Sequence, residues 1–172
     1  NPAIPLTVAR LEASQGNAKG TQDNVTKALI LKPDYTDAIL FVVQINVANN
    51  DLQSAIQNTK IAVQTAPGVA SIWFQLGLLY YAGGDPKDSI PPFEQAIKLV
   101  PDYANAKYFL GLAYYTQGRQ NESLKLFQEL TVSNPDNAEV KTIVSNLQAG
   151  KKPLDGLQPP APQNRPTAPV KQ

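Results

Sequence analysis

Prolines stand at positions 33, 67, 101 and 135, each 34 residues after the last. No other feature of the chain restricts its fold so tightly. Gly16, Asn50, Gly84 and Gly118 keep the same interval, as do Ala28, Ala62, Ala96 and Leu130. A fixed period of about 20–50 residues marks one supersecondary unit repeated in line, each copy burying its apolar side against the next. The residue before a proline is pushed off helical geometry. Glycine, or failing it asparagine, supplies the left-handed residue that ends a helix. Each period therefore reads as helix, turn, helix, stop. The expected helices are 6–15, 18–32, 36–48, 52–66, 70–82, 86–100, 104–117, 120–133 and 137–149. Asp34, Asp102 and Asp136, directly after three of the prolines, are placed to cap the next helix.

The ninth helix has no partner. Val140, Ile143, Val144 and Leu147 form its apolar side, with Glu139, Lys141, Ser145, Asn146 and Gln148 facing out. That amphipathic pattern suits a helix that ends a stack in water. The other end is less finished: Pro2 and Pro5 are expected to shorten the first helix and leave Ile4 and Leu6 without a partner.

The third period carries Trp73-x-x-Leu76-Gly77-x-x-Tyr80, then Phe93, Ala96 and Pro101. In the fourth, Lys107-x-x-Leu110-Gly111-x-x-Tyr114 is followed by Phe127, Leu130 and Pro135. Over residues 70–137 this resembles the tetratricopeptide repeat (TPR) family. The match is weaker in the second period (Ile39, Val42, Val43, Asn46) and in the first (Pro5, Val8, Ala9, Glu12). Ser89 and Ser123 stand where the family usually has Ala. The resemblance implies an all-α, right-handed superhelical solenoid. Its parts are an N-terminal arm (1–5), four repeats (about 2–35, 36–69, 70–103 and 104–137), a cap helix (137–149) and a Pro-rich tail (150–172). Gly77 and Gly111 let the paired helices approach closely. Asn105 to Leu112 and Asn134 to Asn137 are also similar to TPR domains appended to bacterial O-antigen-ligase-type membrane proteins.

In TPR solenoids the first helix of each repeat lines a groove. The positions facing away from the packing columns are Leu40, Gln44 and Val47; Phe74, Leu78 and Tyr81; and Tyr108, Leu112 and Tyr115. Each trio has i, i+4, i+7 spacing and so shares one helical face. The plainer reading is ordinary packing between helices. The functional one is an apolar, aromatic groove for a peptide, since an exposed stripe of that size marks an interaction site. Basic residues for holding a C-terminal carboxylate are missing from the corresponding positions of the second to fourth repeats.

From Gly150 the composition changes. Leu154 and Leu157 lead into Pro159, Pro160 and Pro162, then Pro166, Pro169 and Val170. Such a stretch favours extended polyproline II, and preformed polyproline segments dock on aromatic-lined grooves at low entropic cost. The expected arrangement is this tail on the groove of a neighbouring copy, a head-to-tail contact that builds a filament when its rotation does not close.

Other chemistry is thinly supported. The 172 residues hold 15 Lys and Arg against 14 Asp and Glu, a net charge of +1. A nucleic-acid partner would need a clustered basic face. Cys and His are absent, which removes thiolate chemistry, the usual general base and the commonest metal ligand. No metal site, cofactor or catalytic residue is expected. Asp85-Pro86 reads as a helix cap followed by a first-turn proline. Asn24-Val25-Thr26 and Asn121-Glu122-Ser123 are glycosylation triplets placed on helices, where modification is not expected. No apolar run approaches the ~18 residues of a membrane-crossing helix. Met is absent even at residue 1, so the expectation is a processed form or a fragment, extracellular or on a cell surface. Three roles follow: a self-associating structural subunit, a monomeric peptide-binding adaptor, or the soluble domain of a larger membrane enzyme.

Overall fold

The computed structural model describes residues 1–157. Among them are nine α-helices: α1 (Ala3–Ser14), α2 (Ala18–Leu31), α3 (Thr36–Ala48), α4 (Leu52–Thr65), α5 (Ala70–Ala82), α6 (Pro86–Leu99), α7 (Ala104–Thr116), α8 (Gln120–Ser133) and α9 (Ala138–Gln148). No strand occurs among the described residues.

The 34-residue columns act as the sequence implies. Lys32, Ala66, Val100 and Asn134, each before a proline, leave helical geometry with φ between −133° and −153°. Gly16, Asn50, Gly84 and Gly118 turn the chain in left-handed geometry, with φ of 74°, 58°, 82° and 75°. Asn50 is the one non-glycine with positive φ among the described residues, and asparagine tolerates that region best of the rest. Ala28, Ala62, Ala96 and Leu130 are all buried.

Capping differs from the expectation. Asp34, Asp102 and Asp136 stand one residue too early, and the caps are Tyr35, Tyr103 and Asn137. Only Asn137 of these accepts a backbone bond through its side chain, from Val140 N–H at 3.1 Å. Three of the four helices that follow the left-handed turns also have a side-chain cap; α8, opened by Arg119, does not. Asn17 accepts from Gly20 N–H at 3.0 Å, Asp51 from Ser54 at 3.1 Å and Asp85 from Asp88 at 3.3 Å. Those bonds satisfy amides that the first turn leaves without a partner. The bonds from Ser54 hold the Asp51 carboxyl below its usual range.

The first helix also begins earlier than expected. Pro2 occupies the N-cap and Pro5 falls in the first turn, where the missing N–H would have had no intrahelical partner. Ile4 is exposed, but Leu6 is buried in a cluster with Ala28 and Ala38.

The chain forms two compact bodies, the first ending at Leu79 and the second beginning at Tyr80. In the first, α1 packs on α2 and α3 on α4. Val43, Ala55 and Leu79 form one of its core clusters. In the second, α6, α7, α8 and α9 each pack on the next. Its main core cluster is Tyr108, Leu112, Phe127, Leu130, Val140 and Ile143. At Gly111 the helices α7 and α8 approach closely: a Cβ there would lie 2.7 Å from Phe127 Cε2, inside any carbon contact distance.

Candidate peptide-binding surface

In the first body, α3 and α5 border a cleft of about 140 Å³ lined by Leu40, Val43, Gln44, Ser71, Ile72 and Gln75. Val43 and Ile72 are almost fully buried and make an apolar floor. Gln44 and Ser71 are exposed at the rim, with Leu40 and Gln75 half-buried between. The lining carries no charge. Each carboxamide offers an acceptor oxygen and two donor hydrogens, the complement of a peptide group.

Two of the expected groove residues, Leu40 and Gln44, line this cleft. Val47 is exposed on α3, whereas Phe74 and Leu78 are half-buried on α5 and are not part of the lining. The remaining lining residues, Val43, Ser71, Ile72 and Gln75, were missed by a pattern that gave every first helix the same face. Two neighbouring helices border one cleft with opposite flanks, so α5 contributes positions about one turn earlier than α3 does. A usable signal was present: Ala38, Ile72 and Ala106 form another 34-residue column, and all three are buried.

In the second body the expectation of an open aromatic lining needs correction. Tyr108 and Leu112 are each only 6% exposed. The Tyr108 ring meets Phe127 edge-on at 5.5 Å, and its hydroxyl donates to Glu139 Oε1 at 2.6 Å. Phe109 links the other rings, meeting Tyr108 and Tyr81 edge-on at 5.6 Å each and stacking on Phe93 at 5.9 Å. Tyr115 is half-buried. The reason is α9, which supplies Val140, Ile143 and the Glu139 carboxylate to this face. Glu139 and Asn146, expected to face out, both bond to neighbouring structure.

The start of the tail folds back on its own chain. Leu154 and Leu157 pack against the cluster of Tyr108, Leu112, Phe127, Leu130, Val140 and Ile143. Pro153 is buried, and Asn146 Nδ2 donates to the carbonyls of Pro153 at 3.0 Å and Asp155 at 2.8 Å. Pro159, Pro160, Pro162, Pro166, Pro169 and Val170 lie outside the described residues.

Charged groups in the second body act locally. Lys107, in the column that holds Trp73 one repeat earlier, pairs with Glu129 at 2.9 Å. Tyr114 donates its hydroxyl to Glu94 Oε1 at 2.6 Å, and the Arg119 guanidinium lies 3.8 Å from its ring centre. Burial, with the bond to Glu94, pushes the Tyr114 phenol up to about 12. Among the described residues no group of three or more Asp and Glu is placed to hold a metal ion, and no helix is long and apolar enough to cross a membrane.

Residues 74–138 match the tetratricopeptide repeat family. No curated protein sequence matches the chain. Among solved structures, a MamA protein is similar with a TM-score of 0.75 and 19% identity, over 87% of this chain and 81% of that one. YrrB, described as "a TPR protein with an unusual peptide-binding site", gives 0.74 and 19%, over 87% and 77%. PilF of Pseudomonas aeruginosa gives 0.69 and 15%, over 87% and 68%. These likenesses establish the fold, an all-helical solenoid of the tetratricopeptide type.

Proposed function

We propose that this chain is a non-catalytic protein-interaction module that takes extended polypeptide into the α3–α5 cleft. The observation that carries the reading is the pairing of Gln44 and Gln75 above a floor of Val43 and Ile72. Carboxamides can bind peptide N–H and C=O groups, while the floor receives an apolar side chain. An uncharged lining favours a strand interior over a charged terminus. That YrrB is described as having a peptide-binding site supports the same use of this fold.

The chosen occupant is the Pro-rich end of a neighbouring copy. Residues 158–172 are fifteen positions, a reach of about 47 Å in polyproline II. Repetition of that contact links copies head to tail into a filament or similar assembly, on a cell surface or outside it. The alternative, drawn from the sequence resemblance of Asn105 to Leu112 and Asn134 to Asn137 alone, is the soluble domain of a larger membrane-anchored enzyme; in that setting, as in a monomeric adaptor, the cleft receives another protein's peptide.

The test is calorimetric titration of the intact chain and a Gln44→Ala/Gln75→Ala variant with a synthetic peptide of residues 158–172. The expected result is saturable binding that weakens at least about tenfold in the variant, as for two lost hydrogen bonds. Equal affinity in both proteins refutes the cleft. If the tail peptide does not bind and the intact chain is monomeric by light scattering at high concentration, self-association through the tail is refuted and the adaptor role remains.

A further inference from the structure

After α9 the chain makes the turn that joins the two helices of a repeat. Gly150 N–H bonds to Leu147 O at 3.1 Å and Lys151 N–H to Asn146 O at 2.8 Å. Gly118 and Arg119 make the same two bonds, to Tyr115 and Tyr114. Where a second helix would follow, residues 152–157 form two turns instead. Asp155 N–H bonds to Lys152 O at 3.1 Å and Leu157 N–H to Leu154 O at 3.0 Å. The fifth repeat is thus half built, and a short strap fills the place of its missing helix.

The strap is held as a peptide ligand is held. One carboxamide, Asn146, bonds to two of its backbone carbonyls. Leu154 and Leu157, three residues apart on successive turns, both meet the apolar cluster. Pro153 is buried beside them. Four residues before the turn, where the third and fourth repeats have Tyr80 and Tyr114, this one has Asn.

We propose that this end face is a second peptide-binding site, for a Pro-Leu-x-x-Leu segment, which the chain fills with its own residues 153–157. The occupant in trans is the same segment of a second copy, exchanged by opening at the Gly150 turn. Exchange of an identical element is a low-cost route to a dimer. The short tether gives the resident strap an effective concentration of order millimolar, so the closed form prevails in dilute solution. The site uses none of the α3–α5 cleft residues, and failure of either site leaves the other standing.

The experiment titrates a synthetic peptide of residues 151–157 into full-length protein and into full-length Leu154→Ser/Leu157→Ser, followed by NMR shifts of α9 amides. The variant is expected to bind the peptide at least about tenfold more tightly than the parent, whose tethered strap competes. A peptide with both leucines changed to serine should not bind. Equal binding by parent and variant, or none by either, overturns the proposal. Hydrogen exchange on the parent gives a second reading that needs no variant. The amides of Asp155 and Leu157 should exchange at least about a hundredfold faster than those in the middle of α7, through local opening. Exchange at the α7 rate makes the strap part of the core and overturns the proposal too.

Discussion

Replacing Gly111 by alanine tests how closely α7 and α8 are packed. The added methyl would sit 2.7, 3.0 and 3.2 Å from three ring carbons of Phe127, against about 3.5–4.0 Å for an unstrained carbon contact. The ring must retreat by nearly 1 Å, yet Phe127 is fully buried and meets the Tyr108 ring edge-on at 5.5 Å. Overpacking of this kind costs about 1–3 kcal/mol. Alanine regains roughly 1 kcal/mol of helix propensity over glycine. The expected net effect is therefore a loss of up to about 2 kcal/mol, read by urea unfolding monitored through circular dichroism. Gly20 is the control. A Cβ there meets Asn17 Nδ2 at 2.7 Å and Glu12 Oε2 at 2.8 Å; moving Asn17 weakens its cap on Gly20 N–H by about 1 kcal/mol, which the helix propensity of alanine offsets, so Gly20→Ala should be near neutral. Adding Phe127→Leu to Gly111→Ala should recover at least ~1 kcal/mol relative to the sum of the single changes, because the two sites touch. A Gly111→Ala protein more stable than the parent, or no coupling between Gly111→Ala and Phe127→Leu, would refute the reasoning.

Two further outcomes follow from the second body. Tyr114 holds its proton to about 12, above the ordinary 10.0, so the fold favours the neutral phenol. That stabilisation is complete below about pH 10 and is lost as pH rises towards 12. Burial also raises the Tyr103 phenol, so phenolate absorbance should show a late-titrating component that Tyr114→Phe diminishes, and the parent should lose more stability than this variant over the same interval. The Ser123 hydroxyl is fully buried with no hydrogen-bond partner. Ser123→Ala removes an unsatisfied polar group and should raise the unfolding free energy by about 0.5–1.5 kcal/mol in the same denaturation assay.

The repeat was legible because its punctuation is chemical. Proline at 33, 67, 101 and 135 and a left-handed residue at 16, 50, 84 and 118 act through their own backbones, whatever packs around them. The caps were less legible, since Asp34 and Tyr35 are neighbours and only the path of the chain decides which one opens the helix. Pro91 and Pro92 lie inside α6, where proline ordinarily costs about 3 kcal/mol. Burial of Pro92, Phe93 and Ala96 on the same helix accompanies that departure from local preference. The groove was the least legible part. Tyr108 and Leu112 share a helical face, but α9 closes on it: Glu139 bonds to the Tyr108 hydroxyl, and Val140 and Ile143 join the same buried cluster. A spacing rule says which side chains point together; it does not say what covers them.

The packing, within each body, of helices that are neighbours in sequence also has a kinetic meaning. Within each body, the packed helices are joined by turns of a few residues, so every contact closes a short loop with little entropy to overcome. Low contact order of this kind belongs to chains that fold in about microseconds to milliseconds. Order in such an array can start at any well-packed pair and spread to its neighbours, and α7 with α8, closed around Gly111 and Phe127, is the natural place for it to begin.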